Sequence, residues 1–458
     1  MSDIEQYGYK EQLHRGLTTS DLVVYGLMFI PPIAPFALFG IVWQSAKGMV
    51  TLAYLVGLFG MLFTALSYAT MSRAIPLAGS VYTYAQKGLH EIAGFFAGWL
   101  ILLDYILAPA LLYVISALAL KSILPEVPSW ISLIFFVSFN SVVNLLGIEF
   151  AARFNWYTLL LELACLALFV IFGLIALYKN HVGAGALTLS PLYDPNAFSP
   201  ATIVGATSIA VMSFLGFDGI STLSEESKGG LSSVGRATVI TLLLVGVLFI
   251  GQTWIAADLA QGSSFTSQDT AFYEIVQHIG GTWLRLITIG AVVLSAGIAN
   301  ASVAQAAVAR ILFAMARDGK LPAILARIHP RHKTPYVSSM LVALISIIAS
   351  FVFATHLDSL SRIVNFGALT AFLLLHLSVI NYYFIRGRSR ALIRHLICPA
   401  LGFFVIAYVL FEMDITAKIL GACWLAIGTL YYLVLTMMPG KKSRSVDPID
   451  CSARAPRD

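Results

Sequence analysis

Of 458 residues, 59% are hydrophobic and only 11% are charged. Soluble globular domains carry about 25% charged residues, so this composition excludes them and points to a chain built for lipid. The net charge of +5 comes from basic residues in short segments between apolar runs, which excludes a nucleic-acid surface.

Residues 1–20 are polar and hold no apolar leader core or cleavage-like site, so insertion is expected to start with the first span. Crossing the hydrocarbon takes about 20 mostly apolar residues. Twelve runs meet that measure: 21–46, 48–72, 88–118, 129–148, 154–178, 201–224, 237–258, 283–314, 336–355, 361–385, 395–412 and 415–437. The expected architecture is an all-α polytopic membrane protein. A single domain spans 21–437 between a cytoplasmic segment at 1–20 and a cytoplasmic tail at 438–458.

Of the 28 lysines and arginines, all but Lys47, Lys121, Lys179, Arg285, Arg362 and Lys418 fall on one side if the N-terminus is inside. That bias puts both termini in the cytoplasm and leaves 179–200 and 261–281 on the outer face of the cell membrane. Cys165, Cys398, Cys423 and Cys451 lie in or beside different runs with no paired spacing, so neither a disulfide framework nor a zinc site is expected.

Two runs are interrupted, the first by Pro31, Pro32 and Pro35, the sixth by Gly216 and Gly219. A broken helix at bilayer depth leaves backbone groups without partners, and this is tolerated where they line a cavity. Breaks five spans apart predict two inverted repeats of five helices, about 21–178 and 201–385, with two helices appended at about 395–437. Half-helix ends that meet at the midplane would then hold a solute.

The chain resembles the amino acid–polyamine–organocation transporters. The likeness rests on Pro76-Leu77-Ala78-Gly79-Ser80-Val81-Tyr82-Thr83-Tyr84, Leu103-Asp104-Tyr105, and Ser213-Phe214-Leu215-Gly216-Phe217-Asp218 running on to Ser224-Glu225-Glu226. Ala316-Arg317-Asp318-Gly319 and Asn365-Phe366-Gly367-Ala368 add to it. It covers roughly 15–440 and is similar in look to bacterial putrescine importers, through Tyr82 to Lys87 and Leu215 to Glu226. Those importers resemble one another in an acidic residue before a Phe-Gly pair, where this chain has Ala37 before Leu38, Phe39 and Gly40. One acceptor fewer leaves a monoamine or an amino acid open beside a polyamine.

The resemblance implies a substrate site at Ile33, Ala34, Pro35, Ala37, Asp104, Tyr105, Phe214, Gly216 and Asp218. Three prolines remove three backbone donors from the first break. The N–H groups of Ile33, Ala34, Phe36 and Ala37 remain, and the carbonyls suit an ammonium. Asp218 lies deep in an apolar run, where a charge costs at least about 2.5 kcal/mol by insertion scales. It reads as a partner for an amine or as an acceptor for freed backbone donors. Asp104 reads equally as a ligand or as a structural lock.

Glu162 stands where several family members have a lysine, and with an uncharged run after it needs a partner or a proton. It is the expected coupling residue, with Asp218 as a second candidate. Glu225 and Glu226 are either a gate paired with loop arginines or an ordinary solvated helix end, and nearness to water favours the second. Asn300 and Ser302 could ligate sodium, but small polar residues also serve as packing glue between membrane helices, which is the favoured reading. His329 and His332 lack metal spacing, His376 is expected to be satisfied locally, and Trp99, Trp130 and Trp254 read as interface anchors.

The expected function is import of a small amine-bearing solute, such as an amino acid, monoamine or polyamine, by alternating access. Coupling to protons is favoured over sodium, and no cofactor is expected. An exchanger without ion coupling and a transporter-like ligand sensor are the alternatives. An enzyme is not expected, because no paired histidines, no nucleophile with its base and no phosphate loop are found. The sequence carries no sign of oligomeric state.

Overall fold

The computed structural model describes residues 16–146, 148–228, 232–330, 334–354 and 357–437. Most of the predicted cytoplasmic N-terminal segment, the tail with Cys451, and Arg331, His332 and Lys333 lie outside the described residues. Among those described, every regular element is a helix, apart from a single bridge between Leu17 and Ser227.

The first span is two helices, α1 (Thr19–Phe29) and α2 (Ala34–Ser45), meeting at 45°. Thr18 and Asp21 start α1 with a reciprocal capping box, which satisfies donors that the helix cannot. Its end is dictated by Pro31 and Pro32. Pro35 then sits in the first turn of α2, where a missing N–H does no harm. There follow α3 (Val50–Ala74), a short α4 (Ser80–Gly88) that the hydropathy runs did not reveal, α5 (Glu91–Lys121), α6 (Ser129–Leu146) and α7 (Ile148–Tyr178).

The sixth span begins as α8 (Pro200–Ala210) and then tightens into 3₁₀ turns at Val211–Phe214 and Phe217–Glu226, hinged on Leu215 and Gly216. Gly216 has φ 118°, and a Cβ there would lie 2.1 Å from the Phe29 ring, so only glycine lets the two breaks touch.

The second half contains α9 (Ser233–Ala260), α10 (Ala271–Leu294), α11 (Ala301–Arg317), α12 (Tyr336–Val352), α13 (Leu357–Val379), α14 (Cys398–Glu412) and α15 (Ile415–Met437). A π-helical segment, Ser295–Asn300, joins α10 to α11 in one long span. That span starts at Ala271 rather than near 283 and bends at Gly281, so the second half of the expected 261–281 outer segment is helix.

Each of the twelve apolar runs therefore holds helix. Among the described residues nine helices are long and apolar enough to cross a membrane, ten if the bent α1–α2 pair counts as one, and Ser129–Asn144 and Tyr336–Val352 are shorter apolar helices. Burial locates the core. The α5, sixth and α10–α11 spans are 72% buried, whereas α15 is 11% buried and faces outward.

Candidate functional site

A cavity of about 100 Å³ lies where the two breaks meet. That is room for one small solute or several waters, a water taking about 30 Å³. Of the residues expected there, Ile33, Ala34, Ala37, Asp104 and Gly216 line it, whereas Pro35, Tyr105, Phe214 and Asp218 do not. The first break contributes Phe29 and Pro31, the sixth Met212, Ser213 and Leu215, α5 Leu111, Leu112 and Ile115, and the eighth span Val292, Ser295 and Ala304. Val364 of α13 completes the wall, and α13 lies close to α5 because a Cβ on Gly367 would sit 2.8 Å from the Leu100 carbonyl.

The lining is apolar except for one carboxylate, two hydroxyls and the backbone. Asp104 is only 3% exposed and borders the cavity, and among the described residues no hydrogen bond reaches its carboxylate. Asp218 stands nearby as a second buried acid and is engaged at one oxygen: Tyr105 donates to its Oδ2 at 2.5 Å, while Oδ1 has no hydrogen-bond partner among the described residues. Asp218 thus ties the third span to the 3₁₀ turn of the sixth, and Tyr105 packs on Phe29 at 5.8 Å between rings. Two of the backbone donors expected to be free are used inside the first break. Ala34 N donates to Pro31 O at 2.8 Å and Phe36 N to Ile33 O at 3.0 Å. Gln252 reaches across from α9 to donate to the Pro32 carbonyl at 2.9 Å.

Glu162 is fully buried in α7 behind the cavity wall. Ser295, itself a lining residue, donates to Glu162 Oε1, and Asn300 Nδ2 donates to Ser295 Oγ at 2.7 Å. Asn300 therefore belongs to a polar chain that ties the eighth span to α7. Among the described residues the Glu162 Oε2 and Asn300 Oδ1 atoms have no hydrogen-bond partner. The π turn makes the chain possible, since its extra residue swings Ser295 and Asn300 onto one face. Neighbouring spans hold the turn: Asn140 donates to the Gly297 carbonyl at 2.7 Å, and Gly297 lies against Ser116.

Toward the membrane face that bears Leu17 and α4, the cavity is closed by ion pairs. Glu226 binds Arg310 at 2.6 Å and Glu225 binds Arg317 at 3.2 Å, both acids being almost fully buried. The favoured expectation of a solvated helix end is thus wrong. The 3₁₀ turn of the sixth span carries both acids under α11, and Ala78 N donates to Glu225 Oε1 at 3.0 Å. Tyr82 donates to Asp318 at 2.7 Å, and Lys320 pairs with Glu91.

Toward the opposite face, Phe36 stacks on Phe272 at 3.8 Å between ring centroids and Phe169 closes the set. Gly40 lets α2 lie against the Gln268 carbonyl, where a Cβ would sit at 2.1 Å.

His376 is buried and bonded to Ser67 at 2.9 Å and Thr64 at 3.3 Å, a local satisfaction of the kind expected. Trp130 is exposed, and two other tryptophans make tertiary hydrogen bonds. Trp99 and Trp424 stack and each donates to the other's carbonyl, fastening α15 to α5. Trp254 donates to the Thr188 carbonyl at 2.7 Å and holds the 184–190 segment. Cys165, Cys398 and Cys423 are free thiols.

Comparison with known proteins agrees with the motifs. The family model for amino acid permeases matches residues 16–448. The low-affinity putrescine importer PlaP of Escherichia coli (strain K12) is 34% identical over 439 residues, covering 93% of this chain and 94% of that protein. The branched-chain amino acid permease BcaP of Bacillus subtilis (strain 168) is 28% identical over 461 residues, 94% of this chain and 95% of that one. The aromatic amino acid transport protein AroP of E. coli K12 is 26% identical over 351 residues, 75% and 76%. A match along nearly the whole chain, over a membrane-spanning fold with a cavity at two helix breaks, establishes that this chain belongs to the amino acid permease family.

Proposed function

We propose that the protein is a secondary transporter that carries a small amine-bearing solute into the cell by alternating access. In this reading the chain crosses the membrane twelve times as two inverted five-helix repeats plus two appended helices, with both termini in the cytoplasm.

The observation that carries the reading is Asp104, a buried carboxylate with no hydrogen-bond partner among the described residues, on the wall of a mostly apolar cavity. A lone buried charge is costly unless something pairs with it, and an ammonium brought by the solute is the natural partner. The carbonyls of the first break add acceptors. Leu111, Ile115, Leu215 and Val292 favour a small apolar body behind the amine, so an amino acid or monoamine suits the site better than a diamine. With Ala37 in the lining there is no second acid for a far ammonium. The putrescine importer among its relatives keeps a polyamine as the competing substrate class.

Asp218 then serves to position Tyr105 and the broken sixth helix. Glu162 is the coupling group, one hydroxyl away from the cavity through Ser295 and with one oxygen unpartnered. A proton on that oxygen would neutralise it, and its arrival and departure would change how Ser295 presents to the solute. The basic residues Arg310 and Arg317 are held by Glu226 and Glu225, which leaves Glu162 without a fixed cation.

Uptake of labelled amines and amino acids into proteoliposomes tests this. Asp104→Asn should reduce uptake at least about tenfold, or about 1.4 kcal/mol, with a yield like the wild type's, and N-acetylated ligands should not compete. Glu162→Gln should abolish accumulation driven by a pH gradient while leaving solute exchange largely intact. A Gln variant that still concentrates solute on a pH gradient would remove Glu162 from coupling.

A further inference from the structure

We infer that the face carrying the ion pairs also holds a binding site for an anionic phospholipid, built from Arg73, Arg236 and Arg394. These residues come from three elements: the end of α3, the first turn of α9 and the π turn Ile393–Ile397 that leads into α14.

Three contacts bring them together. Gly235 lies on α3 so closely that a Cβ would sit 2.7 Å from the Ala69 Cα, which sets Arg236 one turn from Arg73. Tyr383 donates to the Thr70 carbonyl at 3.1 Å and stacks on His395 at 4.2 Å, which brings the neighbouring Arg394 to the same spot. Both Arg236 and Arg394 act on Arg73 as like charges.

Nothing in the described chain neutralises this cluster. Glu225, Glu226 and Glu91 are paired with Arg317, Arg310 and Lys320, Asp318 accepts from Tyr82, and Asp21 is held in the α1 cap. Arg73 Nε is buried without a hydrogen-bond partner, although a guanidinium offers five donors. Three cations that repel one another at a membrane edge call for an anion.

What lies beside them decides the kind of anion. Leu66, Ile240, Ile393, Ile397 and Leu401 are exposed apolar side chains on the same elements. A headgroup phosphodiester among the arginines would lead its acyl chains over this surface. Basic pockets between membrane helices on the cytoplasmic side recognise acidic lipids in this way. Free phosphate would meet the charges but leave the apolar surface unused. Only the name of the leaflet, cytoplasmic, depends on the orientation proposed above.

The test uses the purified full-length chain, stripped of lipid in a neutral detergent. Binding of phosphatidylglycerol, phosphatidylcholine and inorganic phosphate is followed by native mass spectrometry and thermal shift. Phosphatidylglycerol should bind in preference to phosphatidylcholine, and inorganic phosphate should neither bind nor compete at equal concentration. The preference should fall about fivefold for each guanidinium removed in Arg73→Gln, Arg236→Gln and Arg394→Gln. If Arg73→Gln fails to fold, the two exposed positions alone carry the test. An unchanged preference in the Arg236→Gln/Arg394→Gln variant overturns the site. Competition by phosphate equal to that of the lipid overturns the lipid assignment.

Discussion

On one side of the cavity Glu226 meets Arg310 at 2.6 Å and Glu225 meets Arg317 at 3.2 Å; on the other, Phe36 lies flat on Phe272 at 3.8 Å with Phe169 against both. Both closures are buried, and both join a broken helix to the eighth span. Their chemistry sets different conditions for opening. Aromatic faces slide apart with a modest loss of contact, and no charge is left bare. A buried ion pair separates only if water enters to solvate both partners, because one buried charge without the other is strongly unfavourable. The aromatic side can therefore part without stranding a charge, whereas separation of the ionic side has to coincide with wetting.

The largest expected effect breaks this contrast at its ionic end. Glu226→Gln leaves Arg310 buried and uncompensated, and losing one partner of a buried pair costs about 3–5 kcal/mol. In a variant whose only cysteine is Ala304→Cys, labelling from the ion-paired face should rise sharply. Adding Arg310→Met should bring it most of the way back, since no charge is then stranded. Unchanged labelling in the single variant would mean that something other than charge shuts that face.

The aromatic end should respond more weakly. A stacked pair contributes about 0.5–1.5 kcal/mol beyond its buried area, so Phe36→Leu, which keeps most of that area, should raise labelling of the same cysteine from the opposite face by roughly tenfold at most. Labelling from the ion-paired face should stay as it was. If it rose equally on both faces, the substitution would have loosened the whole bundle and the two closures would not be separable.

The smallest effect separates buried ionic contacts from exposed ones on a single face. Glu91, which pairs with Lys320, is 39% exposed at its side chain. Water reaches the Glu91 end, although the Lys320 side chain is only 8% exposed, and pairs in contact with water are worth about 0–1 kcal/mol, so Glu91→Gln should change labelling by about fivefold, well below Glu226→Gln, and less at high salt. A change as large as that of Glu226→Gln would show that Lys320 belongs to the latch.

Much of the architecture is local in origin and was legible. Apolar run length marks the spans, and Pro31, Pro32 and Gly216 mark the breaks, because φ limits and a missing N–H act on the residue that carries them. Less local features were missed. The helix Ser80–Gly88 is mixed in polarity and too short to register as a run. The 3₁₀ turn ending at Glu226 looks like an ordinary helix end until α11 is laid over it.

The sequence by itself determined a membrane-embedded helical chain, its two breaks and its family, since hydropathy, backbone chemistry and motif order are written residue by residue. The tertiary structure alone decided which acid borders the cavity and which acids are bonded elsewhere. Tyr105 reaches Asp218 across 113 positions, Ser295 reaches Glu162 across 133, and Arg310 reaches Glu226 across 84. A buried carboxylate takes its character from whichever donor packs beside it, and packing between distant spans leaves no mark on the residues next to it in the chain.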